Sequence, residues 1–470
     1  MKKSLCYLFV AVFTLSILGC AEDNDDVAIP STNLEIKDFV WKAMNFIYFY
    51  KDEVDNLADE VSANTQSYVS FLESYNTPEA LFDDLITAED RFSVIVSDYR
   101  VLEAALQGNS VTNGLRLFST TDDATGQFYL VVAYVASGSS ADMQGVERGM
   151  VITEIDGVTL TPGNVNELAA PTTYTIGIAD FNGTTYEPNG QTFTLTKENF
   201  TENPVQIART LDINGEKIGY LMYTGFRANF VSVLNQAFSD FSAEGVTDLV
   251  LDLRYNGGGR VSNAEDLSSM ITGQFNSQLF AVLTYNGFQP DDSINFDNQT
   301  DEGEAINSLN LQRVYVLTTT NTASASELVI NALNPYIDVV QIGTNTAGKY
   351  QGSTTVYDSQ NLTKNGPEFN LGHFYALQPL ISETENSTGF TGFDDGLIPD
   401  VAQNEDLMNL GILGDPNEPL LARALQEIGV GLQDTDLPVF QRQNISADAE
   451  LLNDSFSKGI DYQRMYIDIK

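Results

Sequence analysis

The sequence predicts a multidomain α/β protein with an N-terminal helical bundle, a β domain and a C-terminal α/β core. Three observations support this prediction. The chain has 470 residues, which is more than one hydrophobic core usually organises. Apolar residues recur at helical spacing in the first part of the chain. Beyond residue 204, apolar runs of strand length alternate with helical patterns, which is typical of a layered α/β domain.

The charge balance excludes one class of partner. Lys and Arg number 23 against 65 Asp and Glu, a formal net charge of −42. A field of this sign repels phosphate backbones, so we expect no nucleic-acid partner. Hydrophobic residues make up 43% of the chain, which is normal for a folded globular protein. We interpret the acidity as a solvated surface.

The first 19 residues have the pattern of a signal peptide. Lys2 and Lys3 precede an apolar stretch over 5–18 that is too short for a comfortable membrane span. This stretch ends in Leu-Ser-Ile-Leu-Gly-Cys, which resembles the lipobox of bacterial lipoproteins and implies lipidation of Cys20. The alternative is an ordinary signal peptide in which this cysteine is incidental. The other cysteine, Cys6, would leave with the signal, so no internal disulfide is expected.

The segment 20–33 is polar and acidic, and we expect it to be a tether. Its run Ala-Glu-Asp-Asn-Asp-Asp resembles the export signal of Bacteroidetes surface lipoproteins. The expected location is therefore the cell envelope, as an outer membrane lipoprotein that is periplasmic or surface-exposed. Membrane contact would be made through the lipid alone.

Residues 34–91 are predicted to form the helical bundle. Val40, Met44 and Ile47 lie on one helical stripe, and a short helix is expected around 68–75. A third helix should begin at Thr77-Pro78, with Thr77 as the N-cap and Pro78 in the first helical position.

Residues 92–203 are predicted to form the β domain. The segment 135–157 contains a short helix over 141–146, a strand and then Asp156-Gly157, a type I′ turn signal. This segment resembles the core of a PDZ domain. The resemblance implies that Gly114, Leu115 and Arg116 lie where such domains capture a peptide carboxylate with backbone N–H groups. A structural β domain with ordinary turns is the alternative.

Residues 204–430 are predicted to form the α/β core. Strands are expected over 218–223, 249–253, 311–319 and 339–343, with a helix over 324–333. The tail over 431–470 has little periodicity and is expected to wrap the surface.

The chain contains a single histidine, His373. One histidine cannot build a histidine-based zinc site, and a Ser-His-Asp triad would have to use this residue. We predict that His373 lies in a strand as a packed or surface residue.

Ser324 and Lys349 remain as a candidate nucleophile and base. Ser324 follows a predicted strand and opens a helix, where the N–H of Ala325 faces whatever binds. Lys349 comes 25 residues later, after Gly348. A lysine acts as a base only when it is neutral, which requires burial away from acids.

Five motifs in order complete the pattern. They are Ile-Gly-Tyr-Leu-Met-Tyr-Thr-Gly-Phe at 218–226, Leu-Val-Leu-Asp-Leu-Arg-Tyr-Asn-Gly-Gly-Gly at 249–259, Ser-Ala-Ser-Glu at 324–327, Lys349, and Gly-Leu-Ile-Pro-Asp at 396–400. Together they resemble the carboxy-terminal processing, or tail-specific, serine proteases over about 90–430. The resemblance implies a crotonase-like α/β protease core and a serine endopeptidase that needs no cofactor and no metal.

The resemblance also implies roles for residues of the site. Ser324 would attack the peptide carbonyl and Lys349 would take its proton. The N–H of Ala325 and one from Gly258 or Gly259 would form the oxyanion hole. The substrates would be proteins or peptides, cut near the C-terminal tails of exported proteins.

The chain departs from the family pattern at two places. The glutamine usually found four residues after the lysine is Ser353 here, with Gln351 two residues after Lys349, and either could orient the amine. The proline usually found before the paired glycines is Gly257.

The sequence allows two other functions besides proteolysis. One is a non-catalytic peptide- or ligand-binding lipoprotein on the same fold, which the presence of both Ser324 and Lys349 disfavours. The other is a crotonase-like acyl-transfer enzyme or lyase, for which this acidic chain offers few cations to bind a phosphate. The sequence leaves the oligomeric state, the natural substrate and the cleavage preference open.

Overall fold

The computed structural model describes residues 30–430, 450–452 and 463–467. The predicted signal peptide, Cys20, nearly all of the acidic tether and most of the tail lie outside these residues. Within the described ranges, no helix is both long enough and apolar enough to cross a bilayer.

The chain begins with a small helical unit. Its α-helices are α1 (Asn33–Ile47), α2 (Thr65–Glu73) and α3 (Pro78–Asp84), with short 3₁₀ turns at Lys51–Glu53, Asp55–Leu57 and Asp59–Ser62. The side chain of Thr77 caps α3 and Pro78 occupies its first turn, which confirms the predicted helix start. The predicted stripe of Val40, Met44 and Ile47 is fully buried.

The next two elements pack against the C-terminal part of the chain. Strand β1 (Val94–Val96) pairs antiparallel with residues 376–378, and helix α4 (Tyr99–Leu106) buries its apolar face in the same cluster as Ala376. The β domain expected from residue 92 therefore starts later, near Asn109. The boundary moves because β1 pairs with residues 376–378, a long-range contact that the local sequence pattern does not predict.

The β domain follows, with a curled antiparallel sheet as its frame. Its elements are β2 (Asn109–Thr112), β3 (Leu115–Thr121), β4 (Phe128–Val135), α5 (Ser140–Gln144), β5 (Val151–Ile155), β6 (Val158–Thr159), α6 (Val165–Ala169), β7 (Thr173–Phe181), β8 (Tyr186–Thr196) and β9 (Glu198–Thr201). The strand order is β3-β4-β5-β7-β8, with β6 on β5, while β2 pairs with β9. Asp156 and Gly157 have φ values of 50° and 73° between β5 and β6, as the predicted I′ turn requires. The likeness to a PDZ domain stays a prediction.

The C-terminal part of the chain contains two further six-stranded sheets. Its elements are β10 (Val205–Ile213), β11 (Glu216–Tyr223), a 3₁₀ turn (Ala228–Phe230), α7 (Val231–Glu244), β12 (Asp248–Asp252), β13 (Gly259–Arg260), α8 (Val261–Thr272), β14 (Leu279–Tyr285), β15 (Asp292–Asn295), β16 (Arg313–Thr318), α9 (Ala325–Leu333), β17 (Asp338–Gly343), β18 (Gln351–Ser353), β19 (Val356–Tyr357), β20 (Ala376–Gln378), β21 (Leu380–Asn386), β22 (Val401–Ala402), α10 (Pro419–Ile428), β23 (Glu450–Leu452) and β24 (Met465–Tyr466).

The first of these sheets is the centre of the α/β core. Its order is β10-β11-β12-β16-β17-β22, antiparallel at β10-β11 and parallel across the rest. Helices α7, α8 and α9 share one buried apolar cluster with this sheet. Helix α10 and strands β3 and β4 of the β domain share the cluster on its other face. The β domain is thus packed directly on the core sheet. The crotonase-like description of this core stays a prediction.

The second sheet contains the end of the chain. Its order is β13-β24-β18-β21-β14-β15, so β24 lies between two strands of the core, and β23 pairs with β3 of the β domain. Met465 in β24 is fully buried. The prediction that the tail wraps the surface is wrong for these described residues. β23 extends the sheet of the β domain, and β24 lies inside the second sheet of the core.

Candidate active site

Ser324 lies in the turn between β16 and α9, as predicted. Its backbone has φ 69° and ψ −118°, a left-handed conformation that costs a non-glycine residue about 1–3 kcal/mol unless its surroundings enforce it. The side chain is fully buried, and its Oγ has no hydrogen-bond partner among the described residues. The turn therefore holds a hydroxyl that no structural contact uses.

Lys349 lies in the loop between β17 and β18. Its side chain is also fully buried, and within the described part of the chain its Nζ has no hydrogen-bond partner. Its Nζ lies over the ring of Phe92, 5.1 Å from the ring centroid. Burial lowers the pKa of Lys349 well below its ordinary value, and the nearby Arg464 guanidinium acts in the same direction. A neutral amine can accept a proton, so this lysine meets the requirement for a base.

The carboxylate of Glu327 connects the two loops. Its Oε2 accepts from the backbone N–H groups of both Ser324 (2.6 Å) and Lys349 (2.9 Å). Its Oε1 accepts from the N–H of Gly348 (2.7 Å) and the hydroxyl of Thr346 (2.5 Å). Burial raises the pKa of Glu327, while these hydrogen bonds act to lower it. One side chain therefore fixes the backbones of Ser324 and Lys349 relative to each other.

The sequence predicted no role for Glu327, although it belongs to a quoted motif. A signal was present in the Ser-x-x-Glu spacing, which marks a helix start where the glutamate reaches back to the N-cap N–H. That spacing alone does not reveal that the same carboxylate also binds a second loop.

Gly257, Gly258 and Gly259 form a loop, called the glycine loop here, that passes close to Ser324. Gly258 has φ +105°, and a Cβ there would stand 2.6 Å from the Cβ of Ser324, so no side chain fits. The N–H of Gly258 donates to Oδ1 of Asn256 at 2.9 Å. The oxyanion-hole roles of Ala325, Gly258 and Gly259 stay predictions.

Asn256 lies just before this loop and holds it in place, a positioning role that the sequence did not predict. It is fully buried, and its Nδ2 donates to the carbonyl of Tyr223 at 2.9 Å. Its own carbonyl accepts from the hydroxyl of Ser326 (3.0 Å) and the N–H of Ala323 (3.1 Å). Asn256 therefore ties the glycine loop to the turn that carries Ser324.

Neither Gln351 nor Ser353 binds the amine of Lys349 in this structure. The Nε2 of Gln351 donates to the hydroxyl of Tyr50 at 3.1 Å. The hydroxyl of Ser353 donates to the carbonyl of Met465 at 2.7 Å. The role of the family's glutamine is therefore not taken over by either residue in the described state.

Across the described residues, no group of three or more His, Cys, Asp or Glu side chains is arranged to hold a metal ion.

Sequence comparison finds matches to the S41 peptidases. The family description Peptidase family S41 matches residues 217–379, and Peptidase S41 N-terminal domain matches residues 35–94. Together the two matches cover just under half of the chain. The first match contains Ser324, Lys349 and the glycine loop, and the second covers the helical unit.

Individual proteins similar to this chain are C-terminal processing peptidases. A chloroplastic C-terminal processing peptidase of Tetradesmus obliquus is 27% identical over 321 residues, which cover 63% of this chain and 66% of the relative. A carboxyl-terminal-processing protease of Synechocystis is 25% identical over 279 residues, covering 58% of this chain and 61% of the relative. The chain thus spans less than two thirds of the length of these relatives. A crystal structure described as an S41 protease, from Bacteroides fragilis, has 28% identity and a TM-score of 0.68, covering 83% of this chain and 96% of that one.

Arg254, two residues after the end of β12, has a structural role. Arg254 is fully buried and binds Asp252 (2.9 Å), Glu418 (2.6 Å) and Glu405 (3.0 Å). Arg148 of the β domain binds the same Glu405 at 2.5 Å. The network therefore joins the β domain to the core beneath the glycine loop.

The loop predicted to capture a carboxylate has its N–H groups occupied. The N–H of Gly114 donates to the hydroxyl of Thr112 at 2.8 Å, and that of Leu115 donates to Oδ1 of Asn113 at 3.2 Å. The guanidinium of Arg116 pairs with Glu202. Tail binding by Gly114, Leu115 and Arg116 stays a prediction, and it would require these bonds to exchange.

His373 does not lie in a strand. It occupies a turn just before β20, where its Nε2 is 2.9 Å from Oδ2 of Asp358 and its Nδ1 accepts from the N–H of Tyr375. The short apolar run around it had indicated a strand, but these side-chain bonds hold a turn. Both ring nitrogens are used in this contact.

Proposed function

We propose that the protein is a serine endopeptidase in which Ser324 is the nucleophile and Lys349 the general base. The observation that carries this proposal is a pair of buried, unpartnered groups, a hydroxyl and an amine, whose backbones bind one carboxylate oxygen of Glu327. Buried polar groups are ordinarily satisfied, and exceptions concentrate at functional sites. The match of residues 217–379 to the description Peptidase family S41 supports peptide bonds as the substrate.

The proposed reaction begins with proton transfer. Lys349 Nζ takes the proton of Ser324 Oγ as the oxygen attacks the carbonyl carbon of the peptide bond. The negative charge that develops on the carbonyl oxygen would be stabilised by backbone N–H groups, with Ala325 and a glycine of the loop as donors. Collapse breaks the C–N bond, and Lys349 returns the proton to the leaving amine.

Deacylation reverses the roles. Water attacks the acyl-enzyme, Lys349 accepts a proton from the water, and Ser324 leaves with that proton as the free enzyme. The described state has no hydrogen bond from Ser324 Oγ or Lys349 Nζ. Catalytic hydrogen bonds often tighten only when substrate binds.

The test is labelling with a fluorophosphonate, which forms a bond with an activated serine. We expect labelling of the wild-type protein and none of Ser324→Ala. Ser268→Ala is the matched control, because this buried hydroxyl only binds the carbonyl of Ala264 in its own helix. Labelling that persists in Ser324→Ala at the wild-type rate would contradict the proposal. Absence of labelling in every variant would instead favour a non-catalytic binding protein.

We further propose that the substrates are the C-terminal tails of exported proteins. The names of the relatives, which are carboxyl-terminal-processing enzymes, support this class. A reporter protein with a free apolar tail should be cut faster than the same reporter with its C terminus fused to a stable domain. Equal rates would contradict preference for tails.

We also propose that Cys20 carries a lipid and holds the protein in the cell envelope. The support is the lipobox-like sequence before it. Cys20→Ser should move the protein from the membrane fraction to the soluble fraction or stop its maturation. An unchanged membrane fraction would contradict the anchor.

A further inference from the structure

The strand beside the candidate site is supplied by the chain's own end. We infer that the slot between β13 and β18 is a binding site for an extended peptide, and that residues 463–467 occupy it in cis. The described state is then self-occupied, and a substrate must displace this segment. The inference rests on the proposed function, since it identifies where the peptide to be cut would bind.

The slot is one strand wide and is bounded by the two halves of the site. On one side, β13 follows Gly258 and pairs with β24 through Gly259 and Met465. On the other side, β18 begins two residues after Lys349 and pairs with β24 through Ser353. Both pairings are parallel. Without β24, both strands would present open edges, which are templates for adding a peptide strand.

Three hydrogen bonds join the segment to its neighbours through its backbone. The hydroxyl of Ser353 donates to the carbonyl of Met465, and that of Thr354 donates to the carbonyl of Ile467, each at 2.7 Å. The N–H of Ile467 donates to the carbonyl of Ser353 at 2.9 Å. Such contacts are available to any extended peptide, which is what a protease groove requires.

One side chain of the segment faces an apolar environment. Met465 has no exposed surface and belongs to the same buried cluster as Phe226 and Tyr350. A peptide that replaces the segment in the same register should therefore carry a large apolar residue at this position. The slot thus selects by backbone shape at most positions and by hydrophobicity at one.

The segment passes directly beside the nucleophile. The carbonyl oxygen of Arg464 and the Oγ of Ser324 both lie within 3 Å of the point where a Cβ of Gly258 would stand, at 2.7 and 2.9 Å. A Cβ of Gly257 would stand 3.0 Å from the N of Gln463. The glycines therefore let a peptide backbone run past Ser324, and the carbonyl at position 464 is the one presented to it.

The segment also explains why the site is closed. Ser324 and Lys349 are both fully buried, and the guanidinium of Arg464, which lies close enough to lower the pKa of Lys349, is bound to the carbonyl of Phe92. No substrate reaches a hydroxyl that has no exposed surface, so the segment must leave before the reaction proceeds.

A second stretch of the same tail is also bound as a strand. Residues 450–452 form β23, which pairs antiparallel with β3 of the β domain, Leu452 opposite Leu117. β3 is the strand that starts at Leu115, inside the predicted tail-binding loop. The chain's own tail thus occupies the edge of the β domain and the catalytic slot in succession. A substrate tail that is captured first and then fed to Ser324 would follow the same order.

A cavity borders the described end of the segment. It has a volume of about 350 Å³ and is lined by Tyr466 and Ile467 of the tail together with Arg260, Thr354 and residues of α4.

The first experiment uses the full chain with Met465→Asp. A carboxylate cannot stay in the apolar site without a partner, so the segment should leave the slot. We expect the rate of fluorophosphonate labelling of Ser324 to rise about 10-fold or more, because the fraction of open sites limits the reaction. Met143→Asp is the matched control, since Met143 is 69% exposed on α5, and its rate should equal that of the wild type.

The second experiment measures binding of a fluorescein-labelled pentapeptide with the sequence of residues 463–467. It should bind Met465→Asp in fluorescence anisotropy and fail to bind the wild type, where the tethered segment competes at a millimolar effective concentration, on the order of that for short linkers. The same peptide with Asp in place of its Met should bind neither protein. Binding to the wild type as tightly as to the variant would overturn the inference.

A milder variant guards against misfolding. Ile467→Pro removes the N–H that Ser353 accepts without burying a charge, and should raise the labelling rate by a smaller factor. If the folded variants label no faster than the wild type, β24 is a permanent strand of the fold and the inference fails. If no protein labels at all but the pentapeptide binds Met465→Asp, the slot stands and the proposed catalytic function fails.

Discussion

Arg254 and Lys349 are two fully buried basic side chains in one core, and their surroundings are opposite. Arg254 is ringed by Asp252, Glu405 and Glu418. Burial acts to lower its pKa, but these carboxylates outweigh burial and hold the pKa above its ordinary value. Lys349 has an amine with no hydrogen-bond partner among the described residues, and its pKa is lowered. The surroundings of Arg254 keep its guanidinium charged, whereas those of Lys349 favour a neutral amine. This difference separates a structural role from a chemical one.

Replacing the neutral amine by a permanent charge should have the largest effect. Lys349→Arg cannot accept a proton at workable pH, because guanidinium stays protonated. We expect hydrolysis of a peptide to fall by about 10³-fold or more, as far as in Ser324→Ala. Lys364→Arg is the control, since Lys364 forms an exposed pair with Glu103. A Lys349→Arg enzyme with a tenth or more of wild-type activity would rule out this lysine as the base.

Removing the structural cation should instead cost stability. Arg254→Met leaves buried carboxylates without their partner, which lowers the free energy of unfolding by about 3–5 kcal/mol. Lys349→Met removes a buried amine that has no partner, so it should leave stability equal or improve it. Urea midpoints of the two variants measure this contrast directly.

The control for this contrast is Arg313→Met, because Arg313 pairs with Asp338 at the surface and such pairs contribute about 0–1 kcal/mol. A loss of stability in Lys349→Met as large as in Arg254→Met would mean that the lysine has a structural partner.

The sequence could predict the parts of this site that are encoded locally. The start of α9 at Ser324 follows from a buried strand run and a capping pattern, and the I′ turn at Asp156 follows from its dipeptide. The position of Lys349 was predicted only through resemblance to a family, because no local signal says that its loop returns to the start of α9.

Other parts depend on contacts between distant residues, which local patterns do not encode. Strand β24 has two residues and pairs with β13 more than 200 positions away, so nothing in its sequence announces a strand. Glu327 and Arg254 were visible as motif letters, yet their roles depend on which distant loops fold onto them. The strand predicted at His373 was wrong because side-chain bonds to Asp358 favour a turn there.

Glu327 offers a way to loosen the site without touching its reacting groups. Glu327→Gln keeps the shape but replaces one accepting oxygen by an NH₂ group, so two of the four bonds from Ser324, Lys349, Gly348 and Thr346 are lost. We expect kcat to fall about 10–100-fold with KM nearly unchanged, as for a lost orienting contact. Glu244→Gln, at the exposed end of α7, is the control for the same change away from the site. A rise in KM with kcat unchanged would contradict a positioning role.

The lowered pKa of Lys349 makes both activity and stability depend on pH. Activity should rise as pH increases through the folded-state pKa, because the base is then neutral. The unfolded chain binds a proton at this lysine up to about pH 10.4, whereas the folded chain does not. Stability relative to Lys349→Met should therefore rise with pH between the folded and unfolded pKa values. If the free energies of unfolding of the wild type and of Lys349→Met change in parallel with pH, the amine is charged in the folded protein.

The smallest effect is expected at the only histidine. His373 is held in its turn by Asp358 and by the N–H of Tyr375, and it contacts neither Ser324 nor Lys349 through any described hydrogen bond. His373→Ala should change peptide hydrolysis by no more than a few-fold, since a true base costs orders of magnitude when lost. His373→Gln, which keeps a hydrogen-bonding side chain, separates a local loss of stability from a loss of chemistry. If His373→Ala is folded and inactive while Lys349→Arg still cuts, the base is the histidine, and the comparison between Arg254 and Lys349 no longer identifies the chemical site.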